Sequence, residues 1–248
     1  MFVVKSVFET VKEIKQSFRL MMDGAVAQSM RDKGLNYHLN WGATLPRLQA
    51  KAQEIKAMFN DSERSAFNVS DDSERSALDL GRFDSVKEFN VSCLMFNLYE
   101  LSIALYKENI RECKILASML MPPDEILPEV VDIWQEQIPS QEIAEQLAFN
   151  LYQYLPYAPA KAYQWIASDK EYDQLCGFHI LTRLFMNRQE PNERGINEFL
   201  DQALCALQGP FPAVRKAAMQ SLQRFAELGV LYERLAKNAA KSIHLDIF

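Results

Sequence analysis

Glycine is scarce, with eight in 248 residues, and proline numbers only ten. A sheet protein with many tight turns needs more of both, so long helices joined by few breaks are the better reading. Cysteine is nearly as rare. Cys93, Cys113, Cys176 and Cys205 form no C-x-x-C pair, and each falls inside an apolar helical pattern. That excludes a disulfide framework and predicts buried free thiols in a reducing, cytoplasmic setting. The three histidines, His38, His179 and His244, have no metal-ligand spacing. A glycine-rich phosphate loop, a G-x-S-x-G elbow and an H-E-x-x-H pair are all missing, so no metal and no cofactor are expected. The opening "MFVVKSVFETVKEIK" turns charged after a short apolar start, which argues against a signal peptide or a membrane span. Positive charge is also in deficit, with 27 Lys and Arg against 33 Asp and Glu. Attraction to nucleic acid then has to come from a local basic face.

What the chain does have is apolar residues at spacings of three and four over most of its length, the helix period. A first helix spans roughly 5–33, loosened at Asp23–Gly24. Gly34, Gly42 and Pro46 then break the pattern, and a second helix runs from about Pro46 to Phe59. From about residue 93 the breaks become regular. Helices are predicted at 93–106 and 109–121, 124–137 and 140–155, 158–167 and 170–187, and 192–207 and 211–228, with a last one at 230–243. Ser140, Asp169 and Asn192 read as N-caps, and Pro123, Pro159 and Pro191 as starts. A helix–turn–helix unit repeated every 30–40 residues cannot bury its apolar face alone, so neighbours must stack. The expected fold is an all-α helical-repeat solenoid forming one domain over 1–248. Ala117, Ala148, Gly177, Ala217 and Ala218 let its second helices approach closely. A polar insertion at about 60–92 stands outside the array. It holds DSERSA twice, at 61–66 and 72–77, and FNVS twice, at 67–70 and 89–92. Local duplication accounts for it, as a solvated linker or as a site of phosphorylation at Ser70 and Ser73.

Second helices line the concave side of such an array. The basic residues placed there are Arg111, Lys114, Lys170, Arg183, Arg215 and Lys216, and they are the candidate phosphate contacts. For Arg215 the alternative is a structural arginine bonding carbonyls, and for Arg111 a surface ion pair with Glu108 or Glu112. The centre of the chain is hostile to DNA: no Lys or Arg lies between Lys114 and Lys161, while Asp124, Glu125, Glu129, Asp132, Glu136, Glu142 and Glu145 do. The ends are richer in positive charge, with nine Lys and Arg against five Asp and Glu over 1–60 and nine against six over 183–241. Tyr152, Tyr154, Tyr157, Tyr163 and Trp165 cluster in "NLYQYLPYAPAKAYQWI", as a base-stacking surface or as packing between repeats.

The stretches "NWGATLPRLQAKAQEI" and "ENIRECKILASMLM", with "YDQLCGFHILTRLF" and "VRKAAMQSLQRFAE" further on, resemble the DNA alkylation repair family of the AlkD type, built from HEAT-like repeats. The resemblance covers most of the chain outside the insertion. It implies a partner, double-stranded DNA, and an activity, excision of N3- and N7-alkylated purines. It also implies a site with a tryptophan, an aspartate one turn after it, an arginine on a later repeat and a later tryptophan. Trp134 matches the first tryptophan, with core packing as the alternative. Ile138, Gly177 and Gln220 stand at the other positions, so the catalytic set is incomplete. The expectation is a DNA-associated protein of this family, a glycosylase with a changed site. The alternative is a non-catalytic HEAT-like scaffold that holds a protein partner in its concave groove.

Overall fold

The computed structural model describes residues 6–72 and 97–244, with the side chains of 61–72 outside that description. Twelve α-helices run through these residues. They fall into two compact units, Met1–Pro122 and Pro123–Phe248.

The first unit holds α1 (Val7–Leu20), α2 (Gly24–Asp32), α3 (Leu45–Asp72), α4 (Leu98–Lys107) and α5 (Arg111–Leu120). The helix expected over 5–33 is two helices. Asp23 stops the first and caps the second, its carboxylate accepting from the Ala25 and Val26 amides at 3.1 Å each. Two amides left unpaired at a helix start are thereby satisfied. α3 does not end near Phe59 but continues to Asp72, so the first DSERSA copy has a helical backbone. Most of the second copy, the second FNVS and Cys93 lie outside the described residues.

What locks this unit is the loop between α2 and α3. Leu39 forms a parallel bridge with Ile110, and the Arg111 amide donates to the Leu39 carbonyl at 3.1 Å. The Glu112 carboxylate lies under the loop, fully buried. Its Oε1 accepts from the Trp41 amide at 3.0 Å and the Ala43 amide at 3.2 Å. Arg111 donates to the Ala43 carbonyl at 2.8 Å and stands 3.4 Å from the same carboxylate oxygen. Gly42 makes the close approach possible. Its φ of 73° is left-handed, and a Cβ there would lie 2.2 Å from the Asp23 carbonyl oxygen. Only glycine meets both conditions.

The second unit holds α6 (Pro128–Glu136), α7 (Gln141–Asn150), a 3-10 turn (Tyr152–Tyr154), α8 (Ala158–Ile166), α9 (Glu171–Met186), α10 (Glu193–Gln208), α11 (Pro212–Ala226) and α12 (Val230–Ser242). α8 pairs with α9 and α10 with α11. The second helices α7, α9 and α11 pack in succession, and α12 closes on α11. Pro128 and Pro212 occupy first helical positions, where a missing amide costs nothing. Ser140 and Asn192 cap as expected. Asp169 does not; Ser168 Oγ accepts from the Lys170 amide instead. The core of the last repeats is aromatic. Phe185, Phe199 and Phe225 meet at centroid distances of 5.0–5.5 Å, and Tyr232 stands edge-on to Phe225 at 5.2 Å. Each buried phenyl contributes about 2 kcal/mol through burial. Cys113 and Cys176 are buried free thiols, but Cys205 is exposed, because its place on α10 points away from α11 and the core side of the helix.

Candidate functional site

The candidate site assembles in the second unit from three second helices. Phe149 sits near the end of α7. His179 and Arg183 lie one turn apart on α9, hence on one face. Lys216, on α11, is near enough for its charge to act on His179. The Arg183 guanidinium stands 4.9 Å from the Phe149 ring centroid, a cation–π distance. The His179 ring meets Phe149 edge-on at 4.8 Å. His179 is only 8% exposed, and its Nε2 has no hydrogen-bond partner among the described residues. Burial first, then the positive charges of Arg183 and Lys216, push its pKa down from 6.5 to about 4. The histidine is therefore neutral at pH 7, with two cations beside it. Neither Arg183 nor Lys216 has an ion-pair partner among the described residues.

That depressed pKa predicts a pH dependence. In the unfolded chain the imidazole takes up a proton near pH 6.5; in the folded chain it does so only near pH 4. Between these values the unfolded state binds more protons. Stability is thus full above pH 6.5 and falls as the pH drops toward 4, by on the order of 3 kcal/mol from this group. Urea midpoints taken across that window should decline less steeply in His179→Gln than in the wild type. Equal slopes would remove His179 as a source of the acid sensitivity.

The other sequence candidates are placed elsewhere. Arg111 and Lys114 do not face a groove: both are sealed inside the first unit. Arg111 serves the loop latch. Lys114 donates to the Tyr106 carbonyl at 3.0 Å and lies 4.0 Å from the Tyr106 ring centroid, and desolvation lowers its pKa. Arg215 is structural: it donates to the Gly209 carbonyl at 2.7 Å and closes the turn between α10 and α11. Its neighbour Lys216, about 100° further round the helix, is exposed. Lys170 is exposed as the residue before α9.

Trp134 is a core residue, 3% exposed. The nearby Asp132 carboxylate is taken by Lys161. Among the five clustered aromatics, Tyr152 and Trp165 pack together in the core at 5.1 Å, and the Tyr157 hydroxyl donates to the Ile126 carbonyl at 2.8 Å. Tyr163 is half-buried, and burial pushes its phenol up to about 12. Only Tyr154 of the five is exposed, so most of them serve packing between helices and do not make a stacking platform.

Sequence reading missed Phe149 and His179 as site members. The spacing His179-x-x-x-Arg183 on one helix, one repeat after an aromatic at the end of α7, is the pattern that carries them. Among the described residues no three His, Cys, Asp or Glu side chains gather to hold a metal, and no helix is long and apolar enough to cross a membrane.

These features define an all-α protein of HEAT-like helical repeats with a basic–aromatic cluster on its second helices. The chain is similar in structure to a solved member of a family described as related to the HEAT-like repeat DNA glycosylases, with affinity for branched DNA structures. The TM-score is 0.68 at 15% sequence identity, over 94% of this chain and 83% of the other. No protein-family model matches the chain, and no curated protein matches it in sequence.

Proposed function

We propose that this protein binds DNA without cutting it, holding phosphates with Arg183 and Lys216 beside Phe149. The observation that carries this is the convergence of two cations, free of carboxylate partners among the described residues, from successive second helices. In an acidic chain such a spot is where a polyanion is favoured. The structural neighbour's affinity for branched DNA supports the same reading and makes junctions the first target to try. The place of the tryptophan supports binding without excision. Base excision needs an aromatic face open to the lesion and a carboxylate near the sugar. The Trp134 ring is buried; of the two acids nearest it in sequence, Asp132 is engaged by Lys161, and Glu136 is exposed to solvent while the ring is not.

The test is a titration of four-way junction and linear duplex at several salt concentrations. Arg183→Ala with Lys216→Ala should weaken binding by about tenfold or more and reduce the salt slope by about two, one for each lost phosphate contact. An unchanged affinity and slope would sink the assignment. In parallel, a duplex carrying N7-methylguanine should lose its base no faster than it does without protein; enzyme-dependent release would restore the glycosylase reading.

A further inference from the structure

The run of acids at the centre of the chain borders an exposed apolar face. On α6 and the turn before it, Leu127 is 59% exposed and Ile133 is 52% exposed, with half-buried Val130 between them. Val130 and Ile133, three apart, follow one side of α6 and Leu127 is the residue at its N-cap, so the three make a short aliphatic stripe. A lone exposed leucine means little, but an aliphatic stripe rimmed by charge of one sign is the pattern of a docking surface. Here the rim is Asp124, Glu125, Glu129 and Glu136, all exposed and with no ion pair among the described residues. The fifth acid, Asp132, is already neutralised by Lys161. No Lys or Arg occurs between Lys114 and Lys161 to balance the others.

We propose that this face of α6 docks a basic amphipathic segment of a partner protein. Its aliphatic side would cover Leu127, Val130 and Ile133, and its Lys or Arg residues would meet the acidic rim. Charge complementarity selects this occupant. A nucleic acid would be repelled by the four free carboxylates, and an acidic helix would be repelled as strongly. The amphipathic requirement comes from the stripe, which a purely ionic ligand would leave uncovered. The face belongs to a first helix, whereas the basic cluster belongs to second helices, so both can be occupied at once and the two proposals stand or fall separately.

The probe is a fluorescent amphipathic peptide of leucine and lysine, set against one of the same pattern in leucine and glutamate. By fluorescence anisotropy the lysine peptide should bind and the glutamate peptide should not. Leu127→Ser with Ile133→Ser changes only exposed side chains, and circular dichroism checks that the fold is kept. This variant should bind the lysine peptide about tenfold or more weakly, as expected for loss of the apolar anchors. Its affinity for junction DNA should be unchanged. If the serine variant binds the lysine peptide as well as the wild type does, the attraction is bare charge and the proposal is overturned. A dimer of the wild type that the serine variant abolishes would overturn it too, assigning the face to a second copy of the chain.

Discussion

Glu112→Ala is expected to destabilise the protein by about 3–5 kcal/mol, the cost of breaking a buried ion pair by removing one partner. The glutamate is fully buried, and its Oε1 holds two loop amides and the Arg111 guanidinium. Alanine would strand the Trp41 and Ala43 amides in an apolar setting and remove a counter-charge from a guanidinium that is itself buried. The loop would lose its grip where Gly42 presses against α2, and the Trp41 ring would lose its place 5.7 Å from Phe18. Glu112→Gln separates the two contributions. It keeps an acceptor for the amides but gives up the charge. It also puts an amide NH2, a donor, in the place of Oε2, where no partner stands among the described residues. An intermediate loss is expected for it. Urea unfolding followed by circular dichroism reads both variants. A Glu112→Ala midpoint equal to the wild type would show that the loop is held by packing alone.

The same latch shows why the sequence points correctly to the fold and less well to the site. Helix period, breaks and the spacing of breaks are local properties, and they locate α4 through α12 to within five residues, the start expected at Pro123 falling instead at Pro128. The exception at α3 has a local cause. The polar duplicated segment has no apolar stripe to report, although helix continues through its first copy. Which charged residues meet solvent is a different matter. Periodicity assigns a polar face only if a helix has one, and on α5 every residue except Met119 is buried. Arg111 and Lys114 therefore look like groove cations in the sequence and are internal hydrogen-bond donors in the structure. The Arg215–Lys216 pair divides for a geometric reason: neighbouring residues point to different sides of α11, one back to the Gly209 carbonyl and one outward. The stretches that carry the family resemblance behave likewise. "NWGATL" and "NIREC" are the two halves of the Glu112 latch, so in this chain they mark the fold and not the chemistry.

Gly177→Arg is the second large effect, because it tests whether the residue that the resemblance expects at this position can be put back. The expected outcome is loss of fold and not gain of function. Gly177 lies in the middle of α9, where that helix packs on α8. A Cβ alone would stand 2.8 Å from Ile166 Cγ2, 2.9 Å from the Ala162 carbonyl oxygen and 2.9 Å from the Ile166 amide nitrogen. Two of these three are backbone atoms of a packed helix, which cannot rotate aside as a side chain can. Overpacking of a tight core costs about 1–3 kcal/mol where neighbours can give, and more where they cannot. Gly177→Ala should already cost about that much, despite alanine's better helix propensity of about 1 kcal/mol. Gly177→Arg must also place a guanidinium between two packed helices, where the carboxylate one turn back, Asp173, already accepts from Gln135 and Ser168. Thermal unfolding should place alanine several degrees below the wild type and arginine far lower or unfolded at once. The observation that would break this argument is a well-folded Gly177→Arg protein. It would mean that α8 and α9 can part by the width of a side chain, and that the missing arginine can be restored after all.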